Sequence, residues 1–397
     1  MIMELPKSKR ELVVRGLQFA QRLPFLYRSF QIDRPLHVFP LSVDVNVTDR
    51  CNFKCLMCRG ANPSYKPKPE MSFDVMRTII DDMRQMRIPY LTLTGGEPTL
   101  RMNFILETMR YARSKGIEVG MVNNGSLLNE RKIRALAEAG LHRIAFSLDG
   151  ATEETHDRIR MRGSYGKIMA NLAICQRLRE EEGYRFRLHV NTVVMGPNVD
   201  QLVSIAAIAR GFGATALFQP VDVPQVDQQA GSDPRLAESI HSLLIGEREI
   251  AILEKEIARL LELQKRDAVV GNLTWQLRNI VRYYRRLASV PDTLKFKCYA
   301  GFNTIHVDSD GKFNSCIFMP PVSDVQTTRL KDAWDSSAYS THRTAIRKCQ
   351  RPCSLNCYYP MSFGMLAYNF GYLPLRRRIV GSIRGSRRNQ VAPASSS

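Results

Sequence analysis

Cys51, Cys55 and Cys58 stand in a CxxxCxxC run directly after the first strand-length apolar segment of the chain. Three thiolates on so short a loop can each hold one iron of a 4Fe-4S cluster, whose usual ligand count is four. The missing fourth ligand leaves one iron open to an exogenous group, which suits chemistry rather than plain electron storage. A zinc loop and an incomplete cluster are the other readings of this spacing. Structural zinc takes four protein ligands, however, and no Cys or His stands nearby as the fourth. A second motif, Gly95, Gly96, Glu97 and Pro98, closes the next apolar segment. Its glycines let backbone approach a ligand closely, and its glutamate can accept hydrogen bonds from an ammonium group. Cys298, Cys316, Cys349, Cys353 and Cys357 gather near the other end of the chain, while Cys175 lines up with Ile168, Leu172 and Leu178 as an inert core thiol. In a reducing compartment, clustered cysteines mean metal or catalysis rather than a disulfide framework.

Composition bounds what must position these groups. The chain has 397 residues, 44% hydrophobic and 24% charged, which excludes global disorder and allows roughly two to three domains. No apolar run of about 18 residues appears, so no spanning helix is expected. The N-terminal residues carry charges where a signal peptide would be apolar, so a cytoplasmic protein is expected. The net charge of +19 favours acidic partners: nucleic acid, anionic lipid or an anionic substrate.

Apolar runs of strand length recur at 41–48, 90–94, 117–122, 143–148, 187–194 and 214–219. Helix-period segments lie between them at 72–86, 103–115, 129–139, 167–182 and 199–210. Strands alternating with helices make a parallel sheet with right-handed crossovers, and hence a doubly wound sheet or a partial barrel. The expected organisation begins with a basic extension over 1–40, with a helix near 9–22, and a core over 41–220. A helical insertion or linker over 221–297 follows, in which Leu236, Ile240, Leu243, Ile250, Leu253, Ile257 and Leu260 recur at helical spacing around Gly246. An auxiliary domain over 298–360 opens with two short strands about a turn at Ser309, Asp310 and Gly311, and a basic, partly disordered tail runs over 361–397.

The cysteine loop, with the Gly95–Pro98 motif one βα unit later, resembles the radical S-adenosylmethionine (SAM) superfamily. That resemblance implies an α/β fold, a partial (β/α)6 TIM-type barrel with a helical insertion and a small C-terminal Fe–S domain. It implies a 4Fe-4S cluster on Cys51, Cys55 and Cys58, with SAM on the open iron, cleaved reductively to a 5′-deoxyadenosyl radical. Met57 matches the position beside adenine, and Gly95, Gly96, Glu97 and Pro98 match the motif that binds the SAM amine. Asn124, Ser147 and Asp149 fall in the segments that follow strands three and four and contact SAM in similar proteins. His156 to Arg160 resembles the family's HDxIR, placing Arg160 on the SAM carboxylate, with Arg162 as the alternative. The C-terminal cysteines resemble a shortened SPASM, or twitch, domain. They imply a second, auxiliary 4Fe-4S cluster on Cys298, Cys316 and two of Cys349, Cys353 and Cys357.

The resemblance implies hydrogen abstraction from an unactivated C–H bond, with a flavodoxin- or ferredoxin-type electron donor. Oxidative modification of a peptide or protein side chain is the leading substrate reading, and dehydrogenation or epimerisation of a small polar metabolite of sugar or cyclitol type is the second. A different class also stands: an RNA- or membrane-surface-binding protein with structural Fe–S sites, using the arginine-rich tail at 372–388. No catalytic residue is assigned.

Overall fold

A computed structural model describes residues 39–58, 65–221, 241–267, 269–288 and 298–349. The expected helix at 9–22, the tail at 361–397, Leu236, Ile240, Cys353 and Cys357 lie outside the described residues.

The core begins with β1 (Ser42–Thr48), in which Val43, Val45 and Val47 are buried and Ser42, Asp44 and Asn46 turn to the opposite face. That period of two makes a strand with one face on helices. β2 (Tyr90–Gly95), β3 (Glu118–Asn123), β4 (Leu141–Ser147), β5 (Arg187–Val194) and β6 (Thr215–Pro220) join it in sequence order, each pair parallel. The intervening helices are α1 (Phe73–Gln85), α2 (Met102–Ser114), α3 (Glu130–Ala139), α4 (Glu153–Ile159), α5 (Ser164–Glu180) and α6 (Leu202–Gly211). Their starts are written locally: Ser72, Asn129 and Thr152 each accept a hydrogen bond from a backbone N–H of the first turn. The left-handed Gly140 ends α3. α4 is an addition to the expected pattern, a short helix that follows β4 in the chain and packs on α5.

Two features close the edges of this sheet. Beyond β6 lie α7 (Glu247–Arg266) and α8 (Thr274–Leu287), with Gly246 at the N-cap of α7 and Ile250, Leu253, Ile257 and Leu260 buried in the main core. Asn272 pairs with the β6 edge like a strand residue, its Oδ1 accepting from Phe218 N at 2.7 Å and its Nδ2 donating to Phe218 O at 2.8 Å. The buried Tyr284 hydroxyl donates to Val194 O at 2.5 Å and accepts from Val221 N at 3.1 Å. Tyr284→Phe strands both backbone groups, so the urea unfolding midpoint should fall by the equivalent of about 1–3 kcal/mol.

At the opposite edge β7 (Thr304–Val307) pairs in parallel with β1, opposing Ser42 to Thr304 and Val45 to Val307. β8 (Lys312–Asn314) returns antiparallel about a turn at the left-handed Gly311, and β9 (Ser323–Asp324) follows. The expected hairpin thus forms, and it continues the barrel sheet to nine strands in the order β6-β5-β4-β3-β2-β1-β7-β8-β9. α9 (Leu330–Trp334) is tied to α1 by the buried Asp82, which accepts from Arg329 Nε at 2.7 Å and Leu330 N at 2.8 Å. α10 (Ser337–Lys348) ends at Cys349. No helix among the described residues is long and apolar enough to cross a membrane.

Candidate functional site

In a sheet of parallel strands backed by helices, the loops at the strands' C-terminal ends form the natural site. The cysteine loop leaves β1 at that end. Phe53 is buried beneath it, Cys58 N donates to Cys55 O at 3.0 Å, and Leu56 N donates to Ile159 O at 3.0 Å. Cys55 is buried, while Cys51 and Cys58 are exposed. Burial pushes the Cys55 thiol up to about 12, and Arg160 pulls it back. Loading a metal must therefore expel protons from this loop.

The Gly95–Pro98 segment meets the cysteine loop rather than open space. A Cβ on Gly95 would stand 2.4 Å from Thr48 O, and one on Gly96 would stand 2.1 Å from Arg50 O. Gly96 N donates to Thr48 O at 2.7 Å and Glu97 N to Arg50 O at 2.9 Å. The glycines are there for backbone-to-backbone approach, a reason the sequence alone does not supply. The buried Glu97 carboxylate is turned onto protein donors: its Oε1 accepts from Thr99 N at 3.0 Å and from the Thr99 hydroxyl, and its Oε2 from Asn124 N at 2.8 Å. Burial raises its pKa, and these hydrogen bonds oppose the rise. Pro98 opens the short 3-10 turn that follows.

Asn124 completes this knot from the end of β3. Its Nδ2 donates to Asn52 Oδ1 at 3.0 Å, and Asn52 Nδ2 donates to Ser126 Oγ at 2.8 Å. Asn52 and Thr99 are organisers that sequence analysis missed, because a lone polar residue inside a spacer carries no pattern. Ser147 is partly buried at the end of β4.

Arg160 sits at the centre of the charge distribution. Its Nε donates to the fully buried Asp149 Oδ2 at 2.5 Å, and its Nη1 lies 3.9 Å from Cys55 Sγ. Burial opposes its charge, while Asp149 and the thiols of Cys55 and Cys58 more than compensate and raise its pKa. Burial pushes the Asp149 carboxyl up, and Arg160 with Val193 N holds it down. Arg162, the alternative, is exposed, and Asp157 accepts from Ser164 N and Tyr165 N at the start of α5. His156 Nδ1 accepts from Asp149 N at 3.1 Å, and burial holds this ring neutral by pushing its pKa down to about 3. Met57 packs with Ile159, Met195, Val221 and Leu243 in a small apolar cluster beside the loop.

A second group of thiols forms at the β7 edge. Cys298 and Cys316 flank Ala300 and Ile346, and the charges of Cys316 and Cys349 both act on Cys298, whose pKa burial raises to about 12. Among the described residues no three His, Cys, Asp or Glu side chains gather around one point as a single ion requires. A cubane spreads its thiolates over separate irons, so a soft, all-thiol donor trio on one loop fits it. Cys175, by contrast, is buried in the main core.

Residues 45–206 match the radical SAM superfamily, and residues 298–358 match the SPASM iron–sulfur cluster-binding domain. The chain is 33% identical over 178 residues to the AdoMet-dependent heme synthase of Methanosarcina barkeri, covering 45% of this chain and 49% of that protein. It is 30% identical over 195 residues to mycofactocin maturase MftC of Mycolicibacterium smegmatis, covering 49% and 47%. The chain thus spans about half the length of the curated relatives it matches. The structure of Streptococcus suis SuiB bound to precursor peptide SuiA shares the fold, with TM-score 0.58 and 15% identity over 80% of this chain and 70% of that one.

Proposed function

From its radical SAM core and SPASM iron–sulfur domain, we propose that this chain abstracts hydrogen from an unactivated C–H bond and oxidatively modifies a peptide or protein side chain. The observation that carries the reading is the Cys51–Cys58 loop, held over the parallel strand ends with Arg160 behind it and a second thiol group at the β7 edge. A 4Fe-4S cluster with SAM supplies reductive cleavage of SAM and the carbon radical that takes the substrate hydrogen.

The chain's own residues do the rest. Cys51, Cys55 and Cys58 hold the cluster. Arg160 keeps a positive charge against Cys55 and is held there by Asp149. Gly95, Gly96, Glu97 and Asn124 lock the β1, β2 and β3 loops to one another. Met57, Met195 and Val221 form an apolar surface that excludes water beside the thiols. Met57, Asn124, Ser147 and Arg160 are the SAM-facing set, while Gly95–Pro98 and Asp149 support it through contacts within the protein, and Cys298, Cys316 and Cys349 begin the auxiliary ligand set. The electron comes from a flavodoxin- or ferredoxin-type donor.

A peptide substrate is supported by SuiB, whose structure holds a precursor peptide. A small polar metabolite is the second reading, and the likeness to a heme synthase supports a substrate that is not a peptide. The test is iron and sulfide content after anaerobic reconstitution, with 5′-deoxyadenosine release from SAM and dithionite. About eight irons in the wild type, falling to about four with SAM cleavage lost in Cys51/Cys55/Cys58→Ala, is the expected result. Iron without SAM cleavage, with peptide and metabolite candidates supplied, sinks the catalytic reading.

A further inference from the structure

The concave face of the barrel sheet carries charges that the loop site leaves unused. One register layer runs His306 on β7, Asp44 on β1, Thr92 on β2, Gly120 on β3, Arg143 on β4 and Arg187 on β5. Their strand neighbours Val45, Leu93, Met121, Ile144 and Leu188 belong to the core against the helices, so alternation turns this layer inward. The Arg143 side chain lies over Gly120, where a Cβ would stand 2.9 Å from its Nε. It reaches Thr92 Oγ1 with Nη2 at 3.5 Å, and that long contact is its one hydrogen bond among the described residues. Asp44 is the carboxylate whose field it feels, yet among the described residues Asp44 itself is partnered by the His306 ring, with Nδ1 at 3.9 Å.

A guanidinium presents five donors in a planar fork that matches a carboxylate. Native proteins seldom leave such a group unanswered on an inner face without a purpose. Here the Asp44 and Arg143 charges of one layer do not close on each other, and the guanidinium itself lies in the space that the missing side chain of Gly120 leaves.

We propose that Arg143 anchors the substrate by a carboxylate, docked deep in the barrel so that the reacting C–H extends toward the thiol loop. This rests on the barrel being the radical SAM active site. The carboxylate belongs to an acidic residue or C-terminus of a peptide, or to a small organic acid.

The test is calorimetric titration of the reconstituted, SAM-loaded enzyme with two probe pairs. These are acetyl-Gly-Glu-Gly-amide against its Gln counterpart, and succinate against succinamide. The wild type should bind a carboxylate about tenfold more tightly than its amide. Arg143→Gln removes the fork, and Gly120→Ala pushes the intact side chain off its bed, so both should abolish the difference. Discrimination for the Glu peptide assigns the source to peptides, and discrimination for succinate alone assigns it to small acids. Equal binding within each pair, no binding of any probe, or discrimination that survives Arg143→Gln overturns the assignment. 5′-Deoxyadenosine release by the same wild-type preparation separates the two failures. Its absence sinks the radical reading, and its presence without carboxylate discrimination sinks the Arg143 site alone.

Discussion

Arg160→Met should lower the unfolding free energy by about 3–5 kcal/mol, the cost of removing one partner of a buried ion pair. Asp149 is fully buried, and with Arg160 gone its Oδ2 loses the donor now at 2.5 Å, leaving Val193 N on the other oxygen. The same change removes the cation beside Cys55, so the thiol loop should also load iron less completely. A double-mutant cycle separates these effects. Asp149→Asn in the Arg160→Met background removes the stranded charge and should recover much of the stability while leaving iron loading impaired. Equal stability of Arg160→Met and wild type in urea denaturation contradicts the pair's role. Full iron loading in both variants contradicts the role of Arg160 beside the thiols.

Gly96→Ala is the second change with a large expected effect. Its Cβ would stand 2.1 Å from Arg50 O and 2.9 Å from Asp49 O, and both are backbone atoms that no rotamer change can move aside. The β1 and β2 loops must separate, losing the Gly96-to-Thr48 and Glu97-to-Arg50 hydrogen bonds. Overpacking at about 1–3 kcal/mol and two hydrogen bonds at about 1 kcal/mol each together disrupt the loop. The large core beneath it remains, since none of its strands or helices passes through Gly96. Anaerobic reconstitution should therefore give a folded protein short of about four irons and unable to cleave SAM. Gly166→Ala is the control: it lies on α5 with nothing within 4 Å, so alanine there should be neutral or stabilise by up to about 1 kcal/mol. Wild-type iron content in Gly96→Ala would remove the case for loop-to-loop contact as the basis of the site.

Much of this was legible in the residues alone. The alternation placed six strands and five helices between them, because periods of two and 3.6 are local properties. The observed β1–β6 fall within a few residues of the expected runs. The short α4 was not expected, since its seven residues hold too few turns to show a period. Gly246 stands within the helical spacing of the sequence, and the structure starts a helix immediately after it.

What the sequence determined by itself is therefore what rests on near neighbours along the chain: the thiol trio, the βα rhythm, the hairpin turn and the caps. Tertiary structure decided the rest. Glu97 became a hub for Thr99 and Asn124, the paired glycines faced the cysteine loop, and Arg160 rather than Arg162 came to Asp149 and Cys55. The 304–314 hairpin joined the edge of β1, and Asp44 and Arg143 were brought into one layer with Gly120 between them. Each of these contacts depends on strand register and loop closure between residues far apart in the chain. A one-residue shift in the register of any one strand would turn its inward charges to the helices.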